Sequence, residues 1–338
     1  MANMRRHRPS RTGWGVSLVS VLVLALFGLV LADPQGIVFG AHSVASAGTV
    51  PRVTDIEAEH DDGLAGSPSK IILRNSSVAL LDEFEQLDYE LAAVRAGNQE
   101  VPRLYLVSLP SDLADVAAAA TRKQLFIQTI LPLVLRANET VRAERDLLID
   151  IVARIDAALP LSDSESRWLE NLAERYGTEP GDIAGLMGRV DVLPTSLAIA
   201  QAAVESGWGT SRFAREGNAV FGQRVFKEGS GIVPEGRDSS GTHEVRAFES
   251  LYDSVLAYLH NLNSHWAYGD FRANRAEVRA SGQRPQAGDL LMDLVSYSEE
   301  REKYLRILKR VINENDLEQF DYARLERVRL VRLESVYQ

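Results

Sequence analysis

The sequence contains no cysteine in its 338 residues. A chain without cysteine forms no disulfide and offers neither a thiolate ligand for a metal nor a cysteine nucleophile. If the chain is exported, packing alone must hold its fold, which suits a long chain better than a small secreted scaffold. The 45% share of hydrophobic residues predicts a globular protein with a substantial core.

The sequence also has no excess of positive charge. The formal net charge is −10, and the part beyond the N-terminal arginines is more negative still. A surface of this sign repels a phosphate backbone. We therefore expect no nucleic-acid partner.

Several common catalytic signatures are absent as well. The sequence has no HExxH motif, and His260 and His265 have no third ligand at metal-binding spacing. Neither a GxSxG elbow nor a GxxxxGK[ST] phosphate loop occurs. These absences predict no metal and no cofactor, and they argue against serine-hydrolase or nucleotide chemistry.

The N-terminal segment has the pattern of an export signal. Arginines within residues 5–11 precede an apolar run from Trp14 to Ala32. Such a run is close to the length that spans a bilayer, and the basic flank stays on the cytoplasmic side. Val30 and Ala32 also have the small-residue spacing of a cleavage site. We favour a membrane anchor over a cleaved signal, and in either case the rest of the chain is exported.

Composition and periodicity divide the chain into segments. We predict, in order, a signal or anchor, a flexible tether, a helical subdomain, a second domain and a tail, over residues 1–41, 42–69, 70–190, 191–320 and 321–338. Ser111-Asp112 and Ser162-Asp163 have the residue types that begin helices. Between Phe221 and Phe248, glycine, serine and charged residues interrupt the helical pattern and predict a β-hairpin lobe. The expected fold class is α+β, mostly α.

One carboxyl of the second domain has a distinctive position. The pattern LPTSLAIAQAAVESGWG predicts a helix that places Gln201 and Glu205 one turn apart and ends at Gly207. The negative end of the helix dipole and partial burial against Trp208 would both raise the pKa of Glu205. A carboxyl that keeps its proton near neutral pH suits the general acid of glycoside cleavage. A solvated glutamate in an ordinary last turn fits the same residues.

The stretch QAAVESGWGTSRFAREGNAVFGQ, residues 201–223, resembles the catalytic signature of the glucosaminidase domains of glycoside hydrolase family 73. Flanking stretches between Val101 and Tyr322 resemble Bax-like bacterial chains. The resemblance implies a lysozyme-like domain, preceded by the helical subdomain, whose acid-bearing helix faces the β-lobe across a groove. It also implies cleavage of peptidoglycan glycan strands after N-acetylglucosamine. The enzyme would act at the periplasmic face of the inner membrane, tethered by the N-terminal helix, or in the periplasm after cleavage of that helix.

The resemblance also assigns site residues. It makes Glu205 the general acid and matches Tyr297, in SYSEEREKYLRIL, to a tyrosine near the cleaved sugar. A second acid should face Glu205 from the β-lobe, and we choose Glu244 over Glu228 and Glu235. Aromatic faces and amides bind sugars, so the expected substrate-binding residues are Gln201, Trp208, Asn218, Phe221, Gln223 and Tyr268, with Trp266 as a further platform.

Two departures and two alternatives stay open. Ala219 and Val220 stand where EGNNLFG is usual, which affects the expected groove contacts. A noncatalytic envelope scaffold that binds glycan, or a lytic transglycosylase on a similar fold, fits the same residues. Whether cleavage inverts or retains configuration depends on a carboxylate separation that the sequence does not give.

Overall fold

The computed structural model describes residues 70–72, 76–225, 229–234, 244–297 and 301–327. The predicted anchor and tether and residues 328–338 of the predicted tail lie outside these ranges, as do Glu228 and Glu235. Within the described ranges, no helix is both long enough and apolar enough to cross a membrane.

Helices make up most of the described chain. They are α1 (Ser77–Gln86), α2 (Leu91–Arg95), α3 (Ala119–Asp156), α4 (Asp163–Tyr176), α5 (Ile183–Arg189), α6 (Thr195–Ser206), α7 (Arg212–Gly217), α8 (Leu251–Ser264), α9 (Gly269–Ala280), α10 (Ala287–Leu290) and α11 (Arg301–Glu314). Short 3₁₀ segments cover Leu113–Asp115, Trp266–Tyr268, Leu291–Tyr297 and Leu317–Tyr322. The predicted class, α+β and mostly α, is confirmed.

Two small sheets accompany the helices. The first pairs β1 (Lys70–Ile72) in parallel with β2 (Leu104–Leu106). The second is antiparallel, in the order β3-β5-β4, and contains β3 (Arg224–Val225), β4 (Gly231–Ile232) and β5 (Glu244–Arg246). The predicted β-lobe is confirmed, but it is not a simple hairpin, because β5 pairs with both earlier strands.

One of the two predicted helix starts is correct. Ser162 caps α4: its Oγ accepts from the Glu165 N–H at 3.3 Å, and the Glu165 carboxylate accepts from the Ser162 N–H at 2.7 Å. This reciprocal capping box is a local feature of the sequence. At the other predicted start, Asp112 precedes the short 3₁₀ segment Leu113–Asp115 and no α-helix, and its side chain does not cap that segment. Its carboxylate instead accepts hydrogen bonds from the N–H and hydroxyl of Ser77, at the start of α1, at 2.7 and 2.8 Å.

Helix α6 lies at the centre of the fold. Every residue from Thr195 to Ala203 is buried, including the polar Thr195, Ser196 and Gln201. Helices α3 and α11 and the 3₁₀ segment Leu317–Tyr322 pack around it. Asp321 of that segment accepts from both the N–H and the hydroxyl of Ser196, each at 2.7 Å. The first turn of α6 is therefore fixed by its neighbours.

A continuous hydrophobic core runs from Leu80 to Leu325. The long helix α3 contributes to it by packing against both α6 and α8. The predicted helical subdomain, residues 70–190, thus shares its core with the predicted domain 191–320. The position of Glu205 depends on both parts of the chain.

Candidate active site

Glu205 lies in the last turn of α6, directly before a tight left-handed turn. The three residues after Ser206 have positive φ angles: 59° at Gly207, 60° at Trp208 and 77° at Gly209. Glycine adopts this conformation freely, whereas tryptophan adopts it at a cost. The Ser206 hydroxyl accepts from the Gly209 N–H at 2.8 Å and stabilises the turn. The SGWG segment therefore ends the helix one residue after Glu205.

Close packing explains the second glycine of this segment. A Cβ at Gly209 would lie 2.9 Å from the side chains of Leu109 and Leu113. Trp208, which is half-buried, packs edge-on against Phe126 of α3 with ring centroids 5.8 Å apart. Lys123 lies over the Trp208 ring, 4.8 Å from its centroid. These contacts join the end of α6 to α3, and the role of Trp208 as a sugar platform stays a prediction.

The Glu205 carboxyl has an altered protonation equilibrium. The residue is half-buried, and its burial raises the pKa of the carboxyl from the usual 4.5 to about 7. A hydrogen bond from Tyr304 acts in the opposite direction, because it stabilises the charged form. The predicted upward shift is confirmed, and the main cause is loss of solvation. Such a carboxyl can deliver a proton near neutral pH.

Two more tyrosines face the same carboxyl. Burial raises the pKa of Tyr268 to about 12, and the negative charge of Glu205 adds to the rise. Burial likewise raises the pKa of Tyr258, with smaller contributions from Tyr268 and Glu205. Tyr268 is therefore close to the acid, although it is only 7% exposed, and its role in substrate binding stays a prediction. Trp266, beside it in the 3₁₀ segment, is 69% exposed and has a face open to solvent.

Gln201 is fully buried one turn before Glu205. Its Nε2 donates to the Tyr304 hydroxyl at 2.9 Å, and its Oε1 accepts from the Tyr258 hydroxyl. Because both ends of the amide are engaged inside the protein, this side chain does not reach a sugar. The prediction that Gln201 binds substrate is corrected: it supports the residues around the acid.

The prediction that Phe221 binds substrate is also corrected. Phe221 is 1% exposed and stacks flat on Tyr258, with ring centroids 3.9 Å apart and an interplanar angle of 4°. A ring enclosed in this way belongs to the core and offers no face to a sugar. The neighbouring Ala219 and Val220 are buried too. Their departure from the usual family sequence therefore changes packing behind the site.

Asn218 and Gln223 hold the β-lobe against α8. Asn218 Nδ2 donates to the carbonyls of Phe248 and Glu249, at 3.1 and 3.3 Å. Gln223 Nε2 donates to the carbonyl of Ala257 at 3.1 Å. Their side-chain carbonyl oxygens are buried and have no hydrogen-bond partner among the described residues. Substrate binding by these two residues stays a prediction.

Glu244, the predicted second acid, is 3% exposed in the centre of the β-lobe. Its two carboxylate oxygens accept hydrogen bonds from the backbone N–H groups of Gly229 and Gly231, at 3.0 and 2.8 Å. These bonds connect β5 to the turn before β4. They give Glu244 a structural task, and its role in catalysis stays a prediction.

Sequence reasoning missed Tyr304. The motif match selected Tyr297, whose side chain lies outside the described part of the chain. Tyr304 is in the same segment, in KYLRIL on α11, and is 2% exposed with its hydroxyl between Gln201 and Glu205. A signal was present, because Tyr304 shares the apolar face of the predicted helix with Leu308 and Ile312.

In the described ranges, no three His, Asp or Glu side chains come together as metal ligands.

A cleft of about 940 Å³ lies between α1, α2, the start of α3 and the end of α11. The residues that surround Glu205 do not line it. The groups described around Glu205 are the hydroxyls of Tyr304, Tyr258 and Tyr268 and the amide of Gln201.

Comparison with known proteins finds a family domain and a related protein. A glucosaminidase family model, described as mannosyl-glycoprotein endo-beta-N-acetylglucosaminidase, matches residues 182–317. Protein bax of Escherichia coli (strain K12) is 34% identical over 217 residues, which are 62% of this chain and 74% of that protein. The catalytic domain of the autolysin Auto from Listeria monocytogenes matches 51% of this chain and 96% of its own, with 21% identity. Its TM-score of 0.29 is too low to establish a shared fold.

The family model covers Glu205, the SGWG turn, the β-lobe and Tyr304. The similarity to Protein bax extends well beyond that domain. The chain belongs to the Bax-like family of proteins with a glucosaminidase domain.

Proposed function

We propose that this protein is a peptidoglycan hydrolase, an endo-β-N-acetylglucosaminidase that cleaves the glycan strand after N-acetylglucosamine. The observation that carries the proposal is Glu205 itself. It is a half-buried carboxyl with a pKa of about 7, bonded to Tyr304 and located inside the matched glucosaminidase domain.

In the proposed reaction, protonated Glu205 gives its proton to the glycosidic oxygen as the bond to the anomeric carbon breaks. The leaving sugar departs as a neutral alcohol, and positive charge develops on the ring that remains. The carboxylate of Glu205 is then negatively charged, and Tyr304 stabilises that charge through its hydrogen bond. Water then adds to the anomeric carbon and loses one proton to a base, and Glu205 regains a proton before the next turnover.

A second carboxylate would activate that water or stabilise the charged ring. Glu244 remains the proposed residue, with Glu228 and Glu235 of the same lobe as alternatives. Because the Glu244 oxygens bind backbone N–H groups, Glu244→Gln would also weaken the lobe. Its activity is therefore to be compared with its melting temperature, and lost activity at an unchanged melting temperature supports the catalytic assignment.

The decisive experiment is digestion of purified peptidoglycan with the wild-type protein and with Glu205→Gln, followed by mass spectrometry of the fragments. We expect the variant to release reducing N-acetylglucosamine ends about 10²–10⁴ times more slowly, the usual contribution of a general acid. Glu216→Gln is the matched control, since Glu216 lies in the same signature but only pairs with Arg212 at 3.3 Å. Equal release by wild type and Glu205→Gln contradicts the proposal.

The same digest separates the alternatives. Anhydro-sugar ends would identify a lytic transglycosylase, and glycan binding without fragments would identify a noncatalytic scaffold.

We also propose that the apolar run from Trp14 to Ala32 anchors the protein at the periplasmic face of the inner membrane, where peptidoglycan is accessible. The support is the basic flank followed by a run of near-spanning length. Cell fractionation tests this: the full chain is expected in the membrane fraction, and a soluble periplasmic form beginning after Ala32 would instead indicate cleavage.

A further inference from the structure

A buried line of three polar side chains lies behind Glu205. Gln201 of α6 and Tyr258 of α8 are 0% exposed, and Tyr304 of α11 is 2% exposed. Buried polar groups are costly unless their hydrogen bonds are complete. In this line each side chain is hydrogen-bonded to the next: Tyr258 to Gln201, Gln201 to Tyr304, and Tyr304 to Glu205.

The direction of these bonds matters, because an amide and a hydroxyl can each donate or accept. Tyr258 donates its proton to Oε1 of Gln201. Nε2 of Gln201 must then point to Tyr304, and it donates to the hydroxyl oxygen. Tyr304 has a single hydroxyl proton, which is left for Glu205. Each bond thus determines the direction of the next one.

If the Gln201 amide had the opposite orientation, its oxygen and nitrogen would exchange places and the hydrogen bonds along the line would reverse direction. Oε1 would face Tyr304 and accept its proton, so Glu205 would lose this hydrogen bond. Nε2 would face Tyr258, whose own proton would then need another acceptor. Among the described residues, the hydrogen-bond partner of the Tyr258 hydroxyl is Gln201. Leaving that buried proton unpaired is unfavourable, so Tyr258 selects the orientation that serves Glu205.

Tyr258 is itself well fixed. Its ring stacks flat on Phe221 at 3.9 Å, which holds the hydroxyl at one point relative to α6. The groups that face Glu205 from neighbouring elements are the hydroxyls of Tyr304, Tyr258 and Tyr268. Two charged residues on elements packed against α6 have partners of their own: Lys123 donates to Asn315, and Asp321 accepts from Ser196.

We propose that Tyr258 and Gln201 are positioning residues for the general acid: Tyr258 orients the Gln201 amide, and the amide directs the Tyr304 proton to Glu205. The proposal rests on the function proposed above for Glu205, but it concerns residues that touch neither substrate nor the reacting bond. It explains why a fully buried glutamine occupies the position one turn before the acid.

The test follows the Glu205 carboxyl by ¹³C NMR in the full chain labelled with [δ-¹³C]glutamate, with Glu205→Gln used to assign its resonance. In Tyr258→Phe the amide is free to turn, and its Oε1 competes for the Tyr304 proton. We expect the midpoint of the Glu205 titration to move to higher pH by up to about one pH unit. The high-pH limb of the kcat/KM profile should move with it.

A second variant provides a rescue. In Tyr258→Phe/Gln201→Met the competing oxygen is gone, so Tyr304 again has Glu205 as its acceptor. We expect the titration midpoint to return to the wild-type value. Tyr252→Phe is the matched control, because Tyr252 is a buried tyrosine on the same helix whose hydroxyl pairs with Thr140 at 3.2 Å. It should leave the titration unchanged.

An unchanged midpoint in Tyr258→Phe, or a raised midpoint that persists in the double variant, overturns the proposal. A general loss of packing would not be reversed by a second core substitution, so the rescue separates positioning from stability. The titration needs no substrate. Expected NMR shifts without peptidoglycan cleavage would therefore contradict only the proposed enzyme function, whereas cleavage without these shifts would contradict only the positioning role.

Discussion

Tyr304 donates its hydroxyl hydrogen bond to Glu205 from a helix almost a hundred residues further along the chain. Burial raises the pKa of the Glu205 carboxyl by disfavouring its charged form, and this hydrogen bond lowers the pKa by stabilising that form. The pKa of about 7 is the result of that competition. In its proposed role as general acid, Glu205 has to be protonated before the reaction and stable as an anion after it, and the two influences favour these two states in turn.

Removal of the Tyr304 hydroxyl should therefore alter the pH profile. Tyr304→Phe leaves burial in place and removes the opposing bond, so the pKa of Glu205 rises. In the wild type we expect the high-pH limb of kcat/KM to fall through about pH 7, the pKa of Glu205, and in the variant we expect it to move upward by about one pH unit. Initial rates of peptidoglycan cleavage between pH 5 and 9 measure this. A limb that moves to lower pH would show that Tyr304 does not stabilise the anion.

Glu205 should also make the protein less stable at alkaline pH. Its folded-state pKa of about 7 lies above the usual 4.5, so between these values the folded protein binds more protons than the unfolded chain. The contribution of this group to the free energy of unfolding is complete below about pH 4.5 and is lost as the pH rises through about 7.

Glu205→Gln removes this loss and keeps an acceptor for Tyr304. Urea denaturation should show similar stability of the two proteins at pH 5 and an advantage for the variant of about 1–3 kcal/mol at pH 8. The lower end of this range allows for the partial solvent contact of the carboxyl. An advantage of equal size at both pH values would mean that the carboxyl does not titrate as described.

The turn after Glu205 should tolerate no side chain at its second glycine. In Gly209→Ala the new Cβ would meet Leu109 and Leu113 at 2.9 Å with a φ of 77°. We expect a loss of about 1–3 kcal/mol beyond that of the control Gly222→Ala. Gly222 has a similar φ of 62°, but no described atom lies within 4 Å of its Cβ position. Thermal denaturation compares the two, and equal losses would assign the effect to backbone strain alone.

Sequence patterns predicted the features that are local in the chain. The apolar repeat and Gly207 gave the end of α6 and the position of Glu205 on it, and Ser162 with Glu165 gave the start of α4. Asp112 has the same capping chemistry, yet its carboxylate binds Ser77, 35 residues away. A cap of this kind has no signature in the neighbouring sequence.

The rest of the site depends on contacts between distant elements. Gln201 and Phe221 have residue types that bind sugars, and their burial follows from the packing of Tyr258 and Tyr304, which periodicity does not reveal. The β-lobe was predicted without its strand order, because strands of two or three residues are too short to show alternation. The pairing of Glu244 with Gly229 and Gly231 follows from that order.

The long helix α3 has a practical consequence for work on this protein. The matched domain begins at residue 182, after α3 has ended, yet α3 covers one side of both α6 and α8. A fragment trimmed to residues 182–317 would expose these apolar helix faces to water and would also lose the Asp321 carboxylate that fixes the first turn of α6. Such a fragment should aggregate when it is expressed, so a soluble recombinant form has to include both α3 and the Leu317–Tyr322 segment.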